Sequence, residues 1–319
     1  MKIIEPSAKL VRGYEDKPEE LIELCGRICY DSQDKIAPGT AQKFCEMLCK
    51  NGHTSVFEHA NIILEVSWRA EARLAGMAEA YWRQTGLPSF LRFDPRGEKH
   101  RRHFVSGNAR AWNNVFNFLN GTVWALGVPE CVIKALSAYP ALFDVQPWER
   151  CQWRLSDVKD YRATVVMPSQ LPAWARERHT TATFFVTCDR GISHELVRHR
   201  AASFSQQSTR YCKANKSGEI EVVKPSDLSD LDVCYGVLAL HTAELVYNDM
   251  LKNGMKPQIA RCVLPTCLAT RLYMTMTLER WRDFLKLRTS PAAHPDMRVI
   301  AEQIQRQLFP DEIGDSNAD

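Results

Sequence analysis

Two spacings of apolar residues alternate along this chain, one of three to four positions and one of two. Residues 17–30 and 39–51 carry the helical spacing, and the second stretch ends at Asn51-Gly52, a good C-terminal stop. His59 to Trp68 reads as a strand and residues 69–84 as a helix. From about 85 to 105 the chain reads as loop, with Pro88, Pro95, Gly97 and a basic cluster from Lys99 to His103. Residues 107–120 and 128–138 read as helices, Trp148 to Tyr161 gives no clear pattern, and Pro168, Pro172 and Trp174 predict an irregular link. Thr181 to Cys188 is the clearest strand, rich in β-branched and aromatic residues. Asp189-Arg190-Gly191 turns it into a helix running to Arg200. Glu219 to Val223 is a short strand, and Leu231 to Leu251 a long helix with Leu231, Tyr235, Leu238 and Leu245 on one face. A short helix precedes Pro265, and residues 267–276 make another strand. Helices follow at about 277–288 and 295–308, the last with Met297, Ile300, Ala301, Ile304 and Leu308 in register. The order predicts an α+β fold, helices packed around a mixed or antiparallel sheet, with a flexible acidic tail over 310–319.

Composition narrows the class without naming a function. At 319 residues, 45% of them hydrophobic and 25% charged, the chain has ordinary globular composition and enough length for a sizeable core. A net charge of +3 is too small to imply nucleic-acid or membrane binding by field alone. The absence of any 18-residue apolar run and of a signal-like N-terminus predicts a cytoplasmic protein with no membrane span. The eleven cysteines contain no C-x-x-C pair and no zinc spacing. Cys25/Cys29 and Cys45/Cys49, each four apart in helical stretches, read as reduced structural thiols.

The candidate chemistry lies at Arg198-His199-Arg200, continuing through Ser203 to Gln206-Gln207-Ser208 and Arg210-Tyr211. Such a run has no place in a core, because charged side chains are rarely buried unpaired. Arginine grips oxyanions through a planar fork, so the run reads as an anion site or, more plainly, as a solvated basic loop. A dinucleotide glycine fingerprint and a P-loop are both missing. His194 and His199 are five apart and cannot share a helix face, so no metal site is expected. Arg288 falls on the stripe Trp281, Phe284, Leu285, Arg288, where an arginine needs either an anionic partner or ligand, or room to snorkel.

R-H-R-x-x-S followed by S-x-R-Y resembles the signature of the flavin-dependent thymidylate synthases (the ThyX family). Three further stretches resemble that family in the same order: His53-Thr-Ser55-Val-Phe-Glu58-His59, Ala260-Arg261-Cys-Val-Leu264-Pro265, and Trp281 to Arg288. They cover roughly residues 39–67 and 181–308, and imply one ThyX-like domain over 1–319 with a mainly helical insertion at 70–178. The resemblance implies conversion of dUMP to dTMP, with 5,10-methylenetetrahydrofolate as carbon donor and NADPH as reductant through FAD. It implies dUMP contacts from Glu195, Arg198, Gln206, Gln207, Ser208, Arg210, Arg261 and Arg288, with Arg288 as the catalytic cation that activates the uracil ring. It assigns FAD to His53, Ser55, Arg198, His199, Arg200, Gln206, Thr277 and Asp283, in a homotetramer with interfacial sites. The chain departs from the family where Ser205-Gln206 replaces Asn-Glu, and where Thr277 and Asp283 replace asparagines. On the residues alone, Ser55 and Ser203 fit loop capping as well as ligand contact, and Arg261 fits an ordinary surface arginine. Two other functions stay open: a related flavin/folate enzyme making another 5-substituted pyrimidine nucleotide, and a non-enzymatic nucleic-acid-binding protein.

Overall fold

The computed structural model describes residues 1–121, 130–143, 160–216, 218–227 and 230–312. The chain opens with two short strands, β1 (Lys2–Ile4) and β2 (Ser7–Leu10), then helices α1 (Pro18–Arg27) and α2 (Thr40–Lys50). A 3-10 turn over Thr54–His59 leads into β3 (Asn61–Val66) and the long α3 (Trp68–Thr85). Next come β4 (Arg92–Phe93), α4 (Gly97–His100), β5 (His103–Asn108), α5 (Ala109–Gly121), α6 (Glu130–Leu136), β6 (Ala163–Val165) and α7 (Ala173–His179). The long strand β7 (Thr181–Asp189) passes into α8 (Arg190–Leu196), and then come β8 (Ser203–Gln206) and β9 (Glu221–Val223). Helices α9 (Asp230–Lys252) and α10 (Pro257–Ala260), strand β10 (Ala269–Thr277), and helices α11 (Leu278–Arg288) and α12 (Pro295–Leu308) complete the path.

The strands form two four-stranded antiparallel sheets, ordered β2-β7-β10-β8 and β4-β5-β3-β6, and a parallel pair of β1 with β9. Period-two alternation splits the first sheet into two unlike faces. Phe184 and Val186 of β7, with Leu272 and Met274 of β10, join Trp281, Phe284 and Leu285 of α11 and the α12 stripe Met297, Ile300, Ala301 and Ile304 in one core. On the other face the threonines meet His59. Its Nδ1 lies 2.7 Å from Thr275 Oγ1 and its Nε2 2.9 Å from Ser205 Oγ, and Thr275 in turn bonds Thr183 at 2.8 Å. Beyond them lies the larger core, built from α1, α2, α3, α5, α6 and the second sheet. The β4-β5-β3-β6 sheet therefore joins strands on both sides of residue 70 through β3.

His59 and His179 are fully buried. Burial holds His59 neutral, with its pKa pushed down to about 3; burial and then the Arg92 cation do the same to His179, also about 3. Both folded-state values lie below the ordinary imidazole value, so the unfolded chain takes up protons first as pH falls. Their contribution is complete above about pH 6.5 and is lost toward the folded values, at about 1.4 kcal/mol per pH unit for each histidine. The urea midpoint should fall steeply from pH 6.5 to 5, and His59→Asn should reduce that slope; a flat profile would contradict the buried neutral imidazoles.

Several elements differ from the sequence reading. Residues 85–105, read as loop, hold β4, α4 and the start of β5. The irregular link at 168–174 gives way to α7 from Ala173. The helix read as running to Arg200 stops at Leu196, and the motif loop after it contains β8, whose polar sequence shows no apolar alternation. Along α9, Leu238 and Leu245 are exposed at 75% and 70% instead of facing a core, because the helix buries Tyr247 on another side. Most of the Trp148–Tyr161 stretch, the first two residues of the 128–138 helix and residues 313–319 of the tail lie outside the described residues.

Candidate active site

The strand-to-helix switch at Asp189 builds the site's centre. Asp189 caps α8 by accepting from the Ile192 amide at 2.8 Å, and the helix carries Ser193 and Glu195 before unwinding into the Arg198-His199-Arg200 turn. Opposite, α11 is fixed by Trp281, whose Nε1 donates to the Ala182 carbonyl at 3.0 Å. Phe284, one turn on, packs edge-on against the His199 ring at 4.8 Å between centroids. Arg288 then reaches the turn: its Nε donates to His199 Nε2 at 2.9 Å and its Nη1 to Glu195 Oε2 at 3.0 Å. The Arg288 side chain is 18% exposed and that of Glu195 39%, so the pair is partly screened from water.

This geometry fixes protonation. Because His199 Nε2 accepts, the ring is neutral with its proton on Nδ1. Burial and the Arg288 cation lower its pKa, against a smaller opposing effect of Glu195. Arg288 spends two of its five N–H donors on these partners, leaving the rest for a ligand.

Of the remaining sequence candidates, Gln207, Ser208, Arg200 and Thr277 line two separate hollows. Gln207 and Ser208 line a cavity of about 460 Å³ together with Thr209, Arg190 and Arg271. Arg261 is exposed but bonds Thr209 Oγ1 at 3.0 Å, which ties it to the same loop. Gln206 turns to other partners, its Nε2 donating to Ser193 Oγ at 2.9 Å and Thr270 Oγ1 at 3.1 Å. Arg200 and Thr277 line a second cleft of about 610 Å³ with Ser203, Arg92, Arg110 and Arg178. Thr277 is buried and caps α11 by accepting from the Arg280 amide. Asp283 is exposed and ion-paired with Arg280 at 2.9 Å. Arg198 and Arg210 are exposed, as are His53 and Ser55 at the turn before β3.

Sequence reasoning missed Arg190, Arg271, Arg92 and Arg178. Arg190 is half-buried, with burial and the neighbouring Arg261 lowering its pKa. Arg271 pairs with Glu221. The Asp-Arg-Gly turn marked a helix start, yet nothing in it showed where its arginine points. Cys212 lines the smaller cavity and Cys29 accepts from Ser208 through its carbonyl; burial raises both thiols.

The family profile described as thymidylate synthase complementing protein matches residues 9–72 and 171–310, more than half of the chain. The chain belongs to this family. The matched segments supply Glu195, His199 and Arg288 together with the loop of the smaller cavity, and leave 73–170 uncovered. Among relatives of this family member, the flavin-dependent thymidylate synthase of Thermococcus onnurineus (strain NA1) is 34% identical over 139 residues, 42% of this chain and 56% of the relative. That of Pyrococcus abyssi (strain GE5 / Orsay) is 32% identical over 134 residues, 41% of this chain and 55% of the relative. The chain thus spans about half the length of the curated relatives it matches. Among solved structures, the UMP/dUMP methylase PolB from Streptomyces cacaoi, bound with 5-Br dUMP, aligns at 26% identity and a TM-score of 0.36, over 45% of this chain and 72% of that one. Among the described residues, no helix is long and apolar enough to cross a membrane.

Proposed function

We propose that this chain is a cytoplasmic flavin-dependent thymidylate synthase with a ThyX-like fold, converting dUMP to dTMP. The carbon comes from 5,10-methylenetetrahydrofolate, and NADPH supplies the reducing equivalents through FAD. The observation that carries this reading is the convergence of Arg288 on Glu195 and neutral His199, from opposite ends of the matched family segment.

The reaction balances as follows. A methylene carbon becomes a methyl group by gaining two electrons; with these drawn from NADPH, dUMP, the folate, NADPH and a proton give dTMP, tetrahydrofolate and NADP+. FAD, when bound, relays the electron pair. The 610 Å³ cleft fits such a dinucleotide, since its arginines suit a pyrophosphate.

The protein's own residues bind and polarise the pyrimidine. Arg190, with the Gln207–Ser208 loop, offers donors to the nucleotide's phosphate in the smaller cavity, and Arg261 and Arg210 extend that loop's charge. Arg288 stabilises negative charge on the uracil ring as N3 ionises, which makes C5 a better nucleophile. Glu195 and His199 hold its fork in place, and His199, being neutral, adds no second cation that would compete for that charge. No cysteine nucleophile is needed, in keeping with burial raising the Cys29 and Cys212 thiols.

The candidate residues are spread over two hollows and the open surface, and Arg198 and Arg210 stand exposed. This supports the assembly of complete sites between subunits of a homotetramer, for which the exposed Leu238 and Leu245 of α9 offer apolar surface.

The test is spectroscopic. Purified chain loaded with FAD should bleach under anaerobic NADPH and regain its oxidised spectrum only when dUMP and methylenetetrahydrofolate are both added. A chain that takes up no FAD, or whose reduced flavin ignores both substrates, contradicts the proposal.

A further inference from the structure

The uncovered stretch 73–170 brings its own side chains to the 610 Å³ cleft. β4 places Arg92 in the wall and the start of α5 places Arg110, while Arg178, Arg200 and Arg280 come from the matched segments. Among the described residues, five arginines line the cleft with two glutamates, Glu58 and Glu279. Most of the arginines have carboxylate partners: Arg110 holds Glu58 at 2.5 Å, Arg280 holds Asp283 at 2.9 Å and Arg178 reaches Glu279 at 3.4 Å.

Arg92 is held differently. Its Nε donates to Ser106 Oγ at 3.2 Å and its Nη2 to Asn61 Oδ1, both neutral. Those partners are fixed in turn by His179: Asn61 Nδ2 donates to its carbonyl at 2.8 Å, and Ser106 Oγ lies 2.8 Å from its Nδ1. The guanidinium is thus oriented by neutral groups from β3, β5 and α7 and hydrogen-bonds to no carboxylate among the described residues. An arginine already paired must exchange one anion for another; Arg92 has none to release. Burial and then the adjacent Arg178 cation push its pKa down to about 10, against a smaller opposing effect of Glu279, so it remains charged at neutral pH.

A second observation comes from the same wall. Phe90 is 59% exposed and adopts φ +60°, a left-handed backbone that a bulky side chain rarely takes. Strain of this kind persists where the surrounding structure enforces it, commonly at ligand sites. Leu87, 57% exposed, lines the cleft beside it. The wall therefore presents an aromatic and an aliphatic surface next to a cation that makes no ion pair of its own among the described residues.

We infer that residues 87–110 add a binding site to the cleft for a cosubstrate with a flat aromatic body and an oxyanion tail, the body on Phe90 and Leu87 and the tail on Arg92 and Arg110. The oxyanion is a phosphate or a carboxylate. The inference rests on the proposed function only for its two probes, FAD and tetrahydrofolate triglutamate, which share that chemistry.

The test measures the binding of each probe and of dUMP to the full chain, for wild type, Arg92→Gln, Arg110→Gln and Phe90→Gly. Arg92→Gln and Phe90→Gly should each raise the Kd of the same probe at least tenfold, with Arg110→Gln following in the same direction and dUMP binding changing less than twofold. If the affected probe is FAD, the tail is a pyrophosphate; if it is the folate, the tail is a carboxylate. Phe90→Gly relieves the left-handed strain, so its thermal midpoint should not fall, which separates lost binding from lost folding. The site is overturned if both probes bind Arg92→Gln and Phe90→Gly within twofold of wild type. It is overturned equally if Arg92→Gln weakens dUMP as much as either probe, the mark of a scaffold role. Because every readout is a binding constant, a chain that makes no dTMP would still test this site while refuting the function.

Discussion

Arg288→Ala should lower kcat for dUMP conversion by about 10²- to 10³-fold, the usual cost of removing one preorganised group that stabilises developing charge. The Kd of dUMP should change far less, because the proposed phosphate site lies elsewhere, around Arg190 and the Gln207–Ser208 loop. The same substitution has a second readout. Arg288 is the cation that, after burial, lowers the His199 pKa, and Glu195 opposes it. Removing Arg288 leaves Glu195 as the neighbouring charge, so the His199 pKa should rise, as followed by NMR titration. Arg288→Lys should recover little activity, since one ammonium cannot reproduce a fork that meets His199 and Glu195 together. A near-normal kcat in Arg288→Ala with an unchanged His199 titration would remove Arg288 from the chemistry and from the cluster.

Trp281→Ala should be the most damaging core substitution near the site, costing about 3–5 kcal/mol. The indole is fully buried, packs edge-on against Phe184 at 5.1 Å and Phe284 at 5.4 Å, and donates to the Ala182 carbonyl. Its loss leaves a cavity between β7 and α11 and removes one hydrogen bond to the Ala182 carbonyl. The effect also reaches function, because Phe284 and Arg288 follow on successive turns of the same helix. Urea unfolding of Trp281→Ala and Trp281→Phe checks this. The alanine variant should lose several times more stability than the phenylalanine variant, which retains the ring contacts and loses the hydrogen bond.

These two residues also show what the sequence makes legible. Trp281, Phe284, Leu285 and Arg288 share a stripe, and three of them are buried while the fourth meets an acidic partner at the stripe's end. β7 was readable from its β-branched and aromatic composition, although both of its faces are buried, and α12 was readable because it buries a single face with a clean helical period. The long helix α9 was readable as a helix only; it is apolar on more than one side, so periodicity cannot choose the buried face. β8 hides because its role is polar: Ser205 is buried against His59, and no hydrophobic alternation marks such a strand. β1 and β2 are too short to show a period. Arg92 and Arg190 could not be found from local sequence, since their significance comes from tertiary neighbours: neutral partners for one, a shared cavity for the other. Gln206 is explained locally by Ser193, whose hydroxyl proton goes to the Arg190 carbonyl, so that its oxygen takes an N–H from Gln206 that a carboxylate could not supply.

The central claim is the reaction itself. Wild-type chain would be incubated anaerobically with dUMP, FAD, NADPH and methylenetetrahydrofolate carrying ¹³C at the methylene, and the nucleotide product weighed. The account predicts dTMP one mass unit heavier than unlabelled standard, formed only when NADPH is present. Recovery of unchanged dUMP, or of a product bearing a different C5 group, would contradict it.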